Sequence, residues 1–236
     1  MTARSALVGS EGEESELLLA RKFMEVKIVE RGEKEVVIAL SGVKVRFANA
    51  LRRVMIAEVP KLAIAEVNIH ENTSILYDEQ LALRLALLPL KTDAKDYNAD
   101  DQFSLTLKAT SPEKAGYTMV YSKELISSDP KVEVAVENIP IVKLISTERE
   151  IGSIKTIASQ KIALDAIAKW GRGEEHAQWQ PVTICGYKNI PEENENSLLF
   201  TVESDGSLPI DEIITEAARI MREKCEFVVE ALKGLS

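Results

Sequence analysis

The fold hinges on Arg46-Phe47-Ala48-Asn49-Ala50-Leu51-Arg52-Arg53-Val54-Met55-Ile56-Ala57-Glu58-Val59-Pro60. At about 100° per residue, Val54, Phe47, Leu51, Met55, Ala48 and Val59 fill one arc, with Glu58 intruding. Arg52, Ile56, Asn49, Arg53 and Arg46 take the other side. This spacing predicts an amphipathic helix of about four turns. Pro60 closes it, because proline lacks the N–H and its ring clashes with the preceding turn. The second face is mixed, with two arginines among apolar neighbours and Ile56 one turn on. The plain reading is a solvated face. The sharper one is an element gripped on both sides, since arginine's planar fork pairs carboxylates bidentately.

Upstream, Met24, Val26 and Ile28 alternate with Glu25, Lys27 and Val29; Arg31-Gly32-Glu33-Lys34 intervenes; Val36, Ile38 and Leu40 alternate again up to Ser41-Gly42. Two period-2 runs about a glycine-bearing turn predict a β-hairpin. Residues 1–23, rich in Ser, Gly and Glu, read as a flexible tail. Downstream, Leu62, Ile64 and Ala65 to Ile69 are extended in character. Asp78 is placed to N-cap a short helix through Leu88, stopped by Pro89. Residues 91–101 read as a solvated loop. Residues 103–187 read as mostly β, from alternation at Phe103/Leu105/Leu107, Val132/Val134/Val136 and Ile162/Leu164/Ala166. Residues 188–197 are linker-like.

Leu198, Phe200 and Val202 predict a strand ending in the turn Ser204-Asp205-Gly206. Then Ile210, Ile214, Ala217, Met221, Cys225, Val228, Leu232 and Leu235 recur at spacings of three and four. They form one stripe on a helix of about 25 residues, roughly 37 Å long. A small domain cannot fully cover a stripe of that length, so another chain or a second long helix is expected against it; the plainer reading is a helix of the domain's own core.

The chain has 236 residues and a net charge of −9. An acidic balance argues against a surface that itself grips nucleic acid, which needs clustered Lys and Arg. Two cysteines, Cys185 and Cys225, exclude a disulfide framework and any four-cysteine metal site within the chain. The longest run free of charge, Ala177 to Tyr187, is too short to span a bilayer. Leu17 to Ala20 follows acids rather than a basic stretch, so no secretory signal is read and a cytoplasmic location is expected.

Catalytic signatures are sparse. The glycines form neither a P-loop nor a dinucleotide fingerprint. His70 reads as a surface or loop histidine. His176 lies in Gly171-Arg172-Gly173-Glu174-Glu175-His176-Ala177-Gln178-Trp179-Gln180-Pro181. That loop has two readings: a turn packed under Trp179, or a catalytic loop in which His176 works with Glu174 or Glu175. The second lacks a visible nucleophile and orienting partner. The paired acids Asp78-Glu79 and Asp211-Glu212 suit helix N-termini, where the dipole favours negative charge.

Four stretches, in order, resemble the α-like subunits of multisubunit RNA polymerases. Phe47 to Pro60 is similar to that family's signature helix. Asp78-Glu79 through Leu83-Arg84 to Leu88-Pro89-Leu90 is similar to its second helix. Gly171 to Pro181 resembles the loop of its archaeal and eukaryotic branch, and Phe200 to Pro209 leads into the long helix as the family does. The resemblance spans about residues 24–236 and is to the archaeal members. It implies an α+β fold: a discontinuous dimerisation domain of antiparallel strands plus two helices (24–69 and 190–236), interrupted by a mostly β insert domain (70–189). It also implies a non-catalytic assembly platform, active only as part of the nucleotidyltransferase complex. The implied partners are a smaller α-like subunit, called L in archaea, then the second-largest polymerase subunit and small accessory subunits. Phe47, Leu51, Val54, Met55, Ile214, Ala217, Met221 and Val228 are the implied partner interface, and Arg52 and Arg53 the implied docking point for the second-largest subunit.

Two departures from the family stand out. Many archaeal relatives carry a cysteine-rich insertion for an iron–sulfur cluster after the His-Ala-x-Trp loop. Here Val182 to Leu198 runs directly on with Cys185 alone. The zinc-binding cysteines of eukaryotic relatives are absent too, so no metal and no cofactor are expected. Bacterial relatives add a DNA-binding domain. This sequence stops soon after the long helix, so contact with DNA is expected only through the holoenzyme. The rival functions are a small acidic enzyme built on His176, and a heterodimeric adaptor outside transcription.

Overall fold

The computed structural model describes residues 24–91, 98, 100–151, 154–190 and 197–234. The tail reading of residues 1–23, and Leu235 of the terminal stripe, lie outside them. The hairpin forms from β1 (Glu25–Arg31) and β2 (Glu35–Ser41), with a bulge between Ile28 and Glu30. Gly32 closes the turn through its N–H to the Glu35 carbonyl at 2.8 Å. Ser41 hands over to Gly42, whose φ of 77° suits a residue without a Cβ. The signature helix, α1, runs Val45–Ala57, and Glu58 and Val59 both donate to the Val54 carbonyl as it ends.

Pro60 opens β3 (Pro60–Asn72), where its lack of an N–H falls at a strand start. Helix α2 follows (Asp78–Ala86). Tyr77, not Asp78, holds its N-cap position. The Asp78 carboxylate instead accepts from Asn72 Nδ2 at 2.7 Å, within the first turn where the dipole favours it.

The middle of the chain is β: β4 (Leu90–Lys91), β5 (Gln102–Thr110), β6 (Gly116–Tyr121), β7 (Ile126–Ser127), β8 (Glu133–Val134), β9 (Pro140–Ile151), β10 (Ile154–Ala158) and β11 (Lys161–Arg172). The Val132/Val134/Val136 alternation yields only the two-residue β8, paired with β4. Then come β12 (Val182–Asn189), β13 (Ser197–Ser204) and α3 (Ile210–Lys233).

Two larger antiparallel sheets organise these strands. One has the order β1-β2-β13-β12, the other β3-β11-β5-β7. In the first, Leu40 faces Leu198, Ile38 faces Phe200 and Val36 faces Val202 across the β2–β13 ladder. Such apolar cross-strand pairs are what fix register. With Ala48, Met55, Ile210, Ile213 and Ala217 from the helices they form one core. The second sheet, the β10-β9-β6 sheet and α2 enclose another, around Leu81, Leu85, Leu105, Leu107, Leu144 and Leu164. Strand β3 runs through the boundary expected at 69/70. Strand β12, expected in the insert, pairs with β13 in the first sheet.

Candidate subunit interface

The two helices of the first unit do not cover its sheet evenly. Ala48, Val54 and Met55 of α1 are buried, as are Ile210, Ile213 and Ala217 of α3. Beside this seam the sheet face stays open. Met24, Val26 and Ile28 are about half exposed, at 49%, 50% and 57%. The result is an apolar groove of about 380 Å³. Its walls are Met24, Val26, Ile38 and Leu40 of the hairpin edge, Phe47, Leu51 and Met55 of α1, and Ile214, Ala218, Met221 and Cys225 of α3. Arg222 alone among the lining residues is charged.

Past Met221, α3 contributes no residue to the core. Residues 222–234 are exposed without a break, among them Val228, Val229 and Leu232 at 55%, 50% and 62%. An amphipathic helix twelve residues past its last contact with a core holds its shape poorly in water unless something covers it.

The structure sorts the residues expected at a partner interface into four groups. Phe47, Leu51, Ile214 and Met221 are half-buried and line the groove. Val54 and Ala217 are buried in the chain's own core, at 6% and 0%, and have no surface left for a partner. Met55 is also fully buried but forms part of the groove floor. Val228 is exposed but lines a different depression, on the flank of α3. Missed by sequence reading were Met24 and Val26, whose alternation was visible but whose place opposite α3 depends on the β2–β13 pairing.

Arg52 and Arg53 part company. The Arg52 guanidinium donates to Asn49 Oδ1 at 3.2 and 3.3 Å, one turn back, and is half-buried beside β12. Cys185 of β12 lies under it. Burial pushes that thiol up to about 11, against the opposing pull of the Arg52 cation. Arg53 is exposed and forms no ion pair among the described residues.

The Gly171–Pro181 loop is a packing device. A Cβ on Gly171 would stand 2.4 Å from the Trp179 ring, and one on Gly173 would stand 2.1 Å from the Ile56 carbonyl oxygen. Only glycine admits those approaches. They let the Glu174 N–H cap the Ala57 carbonyl at 2.9 Å, at the end of α1. Trp179 Nε1 donates to the Lys169 carbonyl at 3.1 Å. His176 Nδ1 accepts the Gln178 N–H at 3.2 Å, and Glu175 Oε1 accepts the Arg172 N–H at 3.2 Å. The residues of the enzyme reading thus hold their own loop's backbone. His70, on β3, meets Asp165 Oδ2 at 2.8 Å. The hydrogen bond from His70, with a second from Thr106, holds the Asp165 carboxyl below its ordinary value. In that arrangement the carboxylate sits between histidine and hydroxyl, the wrong order for a nucleophilic triad.

Among the described residues no helix is long and apolar enough to cross a membrane. No group of three or more His, Cys, Asp or Glu among them is placed to hold a metal ion.

The sequence was compared with known proteins. The chain is similar to the DNA-directed RNA polymerase subunit Rpo3 of Methanosarcina acetivorans, 34% identical over 90% of this chain and 99% of that protein. It is similar to the subunit of the same name from Methanosarcina mazei, 35% identical over 90% and 99%. The Pyrococcus furiosus Rpo3 is 34% identical over 90% and 98%. Residues 37–225 match the family model described as the RNA polymerase Rpb3/Rpb11 dimerisation domain. That span runs from β2 through the groove-lining part of α3, and by it the chain belongs to the Rpb3/Rpb11 dimerisation-domain family of RNA polymerase subunits.

Proposed function

We propose that this chain is the larger α-like subunit, D, of an archaeal RNA polymerase, of the kind without an iron–sulfur insertion. It acts as a non-catalytic assembly platform in the cytoplasm. The observation that carries the reading is the groove between the hairpin edge, α1 and α3, continued by a bare helical half. That surface suits an apolar helical partner, here the smaller α-like subunit, L. Burying on the order of 1,000 Å² of apolar surface contributes roughly 25 kcal/mol gross. Association and ordering costs offset much of that, but the remainder supports obligate pairing. The pair then presents α1's second face, with Arg53 foremost, to the second-largest subunit, and small accessory subunits join the platform. The presence of two separate cores supports reading a discontinuous dimerisation unit interrupted by a β insert.

The test is to express the chain with and without subunit L and follow mass by analytical ultracentrifugation. A stable one-to-one heterodimer is expected, with the lone chain aggregating or self-associating. A monodisperse monomer at micromolar concentration that ignores subunit L would overturn the proposal.

A further inference from the structure

We propose that the partner filling the groove also covers the opposite flank of α3, with Phe227 anchoring that second contact; this rests on the pairing proposed above. Phe227 is 72% exposed, and it does not line the groove. It lines a separate depression of about 520 Å³ with Pro60, Ile220 and Val228. Counted at 100° per residue, Val228, Leu232, Cys225 and Val229 fill an arc of about 100°, and Phe227 stands about 100° further round, with Lys224 between it and Val228. One packed face needs a stripe of only about 100°. Phe227 therefore lies outside the face that a single flat contact over Val228 to Val229 would cover.

The charges around the depression are already matched within the chain. Lys224 pairs with Glu58 at 2.5 Å, and Arg219 pairs with both Glu216 and Glu223. What remains for a partner to read is apolar, so the contact calls for an aliphatic or aromatic side chain rather than a counter-charge. One partner, not two, is indicated by continuity. Val228 lines the depression and Cys225, three residues earlier, lines the groove, with no polar strip between them. A helix about 10 Å across leaves no room for two proteins to meet over Val228. A single partner wrapping the helix meets both surfaces, and exposed aromatics of this size are the usual anchors of such contacts.

The test places photoreactive p-benzoylphenylalanine at position 221, in the groove, or at position 227, in full chains co-expressed with subunit L. Adducts with subunit L from both positions are expected. Phe227→Ala should weaken pairing by at least about tenfold while leaving the lone chain's urea midpoint unchanged. An adduct from 221 but none from 227, or an adduct from 227 with a different polymerase subunit or with a second copy of this chain, overturns the second contact and leaves the groove reading standing. No subunit L adduct from either position sinks the pairing itself.

Discussion

Lys61 and Asp205, 144 residues apart, form an ion pair where the two sheets join. Lys61 lies at the start of β3 and is 3% exposed. Asp205 sits in the turn after β13, where its other oxygen accepts the Ser207 N–H at 2.9 Å and the Ser207 hydroxyl at 2.6 Å. Lys61 Nζ also donates to the Gln180 carbonyl at 3.3 Å. One buried cation thus ties β3, the tryptophan loop and the turn into α3. Asp205→Ala should destabilise the chain by about 3–5 kcal/mol, because it strands the lysine charge out of water. Replacing both partners, as Lys61→Met with Asp205→Leu, should cost clearly less. Urea denaturation of the three chains measures the difference; equal midpoints for wild type and Asp205→Ala would refute the role.

Val26 and Val54 separate the open groove from the chain's own core. Val26 is half exposed in the groove, whereas Val54 is buried. Val26→Asp should leave the chain's stability within about 1 kcal/mol, as edge-strand substitutions do, and weaken pairing about a hundredfold or more. Val54→Asp should instead lower stability by several kcal/mol, since it buries an unpaired charge. Denaturation and pairing affinity, measured on both variants, decide this; a Val26→Asp chain that pairs normally would show that the groove is not the interface.

Cys185 gives a pH signature. Its thiol is raised from 9.0 to about 11 by burial, so the folded chain holds this proton more tightly than the unfolded chain. The associated stability is complete below about pH 9 and lost as pH rises towards 11. Wild type minus Cys185→Val, in melting temperature, should therefore fall across that window. A difference that stays flat from pH 8 to 11 would contradict the burial argument.

Arg53 is exposed on α1's second face, away from the groove. Arg53→Ala should leave pairing with subunit L unchanged and weaken capture of the second-largest subunit, as removal of a charge-assisted contact does. A pull-down from reconstituted subunits reads this, and unaltered recovery of that large subunit would count against the assigned docking point.

Much of the fold was readable from local pattern. The alternations at Val36–Leu40 and Leu198–Val202, the stop at Pro60 and the stripe from Ile210 each reflect one segment's own chemistry. What failed was long-range. No local feature says that β2 pairs with β13, some 160 residues on, so the groove wall at Met24 and Val26 went unseen. The helix stripe also mixed two faces: Ile210 and Ala217 turn inward together with Ile213, which lies off the stripe, while Ile214 and Met221 turn to the groove. A period of 3.6 reports that a helix has an apolar side, not which body covers each part of it. Val132 and Val136 failed differently. Val132 is buried, but beyond Glu133–Val134 the backbone is taken up elsewhere: the Val136 carbonyl accepts the Ser122 hydroxyl at 2.6 Å and the Glu137 carbonyl accepts the Lys123 N–H at 3.2 Å.

The most direct measurement of the central claim uses Cys225, exposed on α3 and lining the groove, with half-buried Cys185 as the internal reference. N-ethylmaleimide should label Cys225 rapidly in the lone chain and slow by about tenfold or more once subunit L is present in stoichiometric amount, because access to the thiol is closed. Cys185 should stay slow in both states. A Cys225 rate that subunit L leaves unchanged would contradict the account.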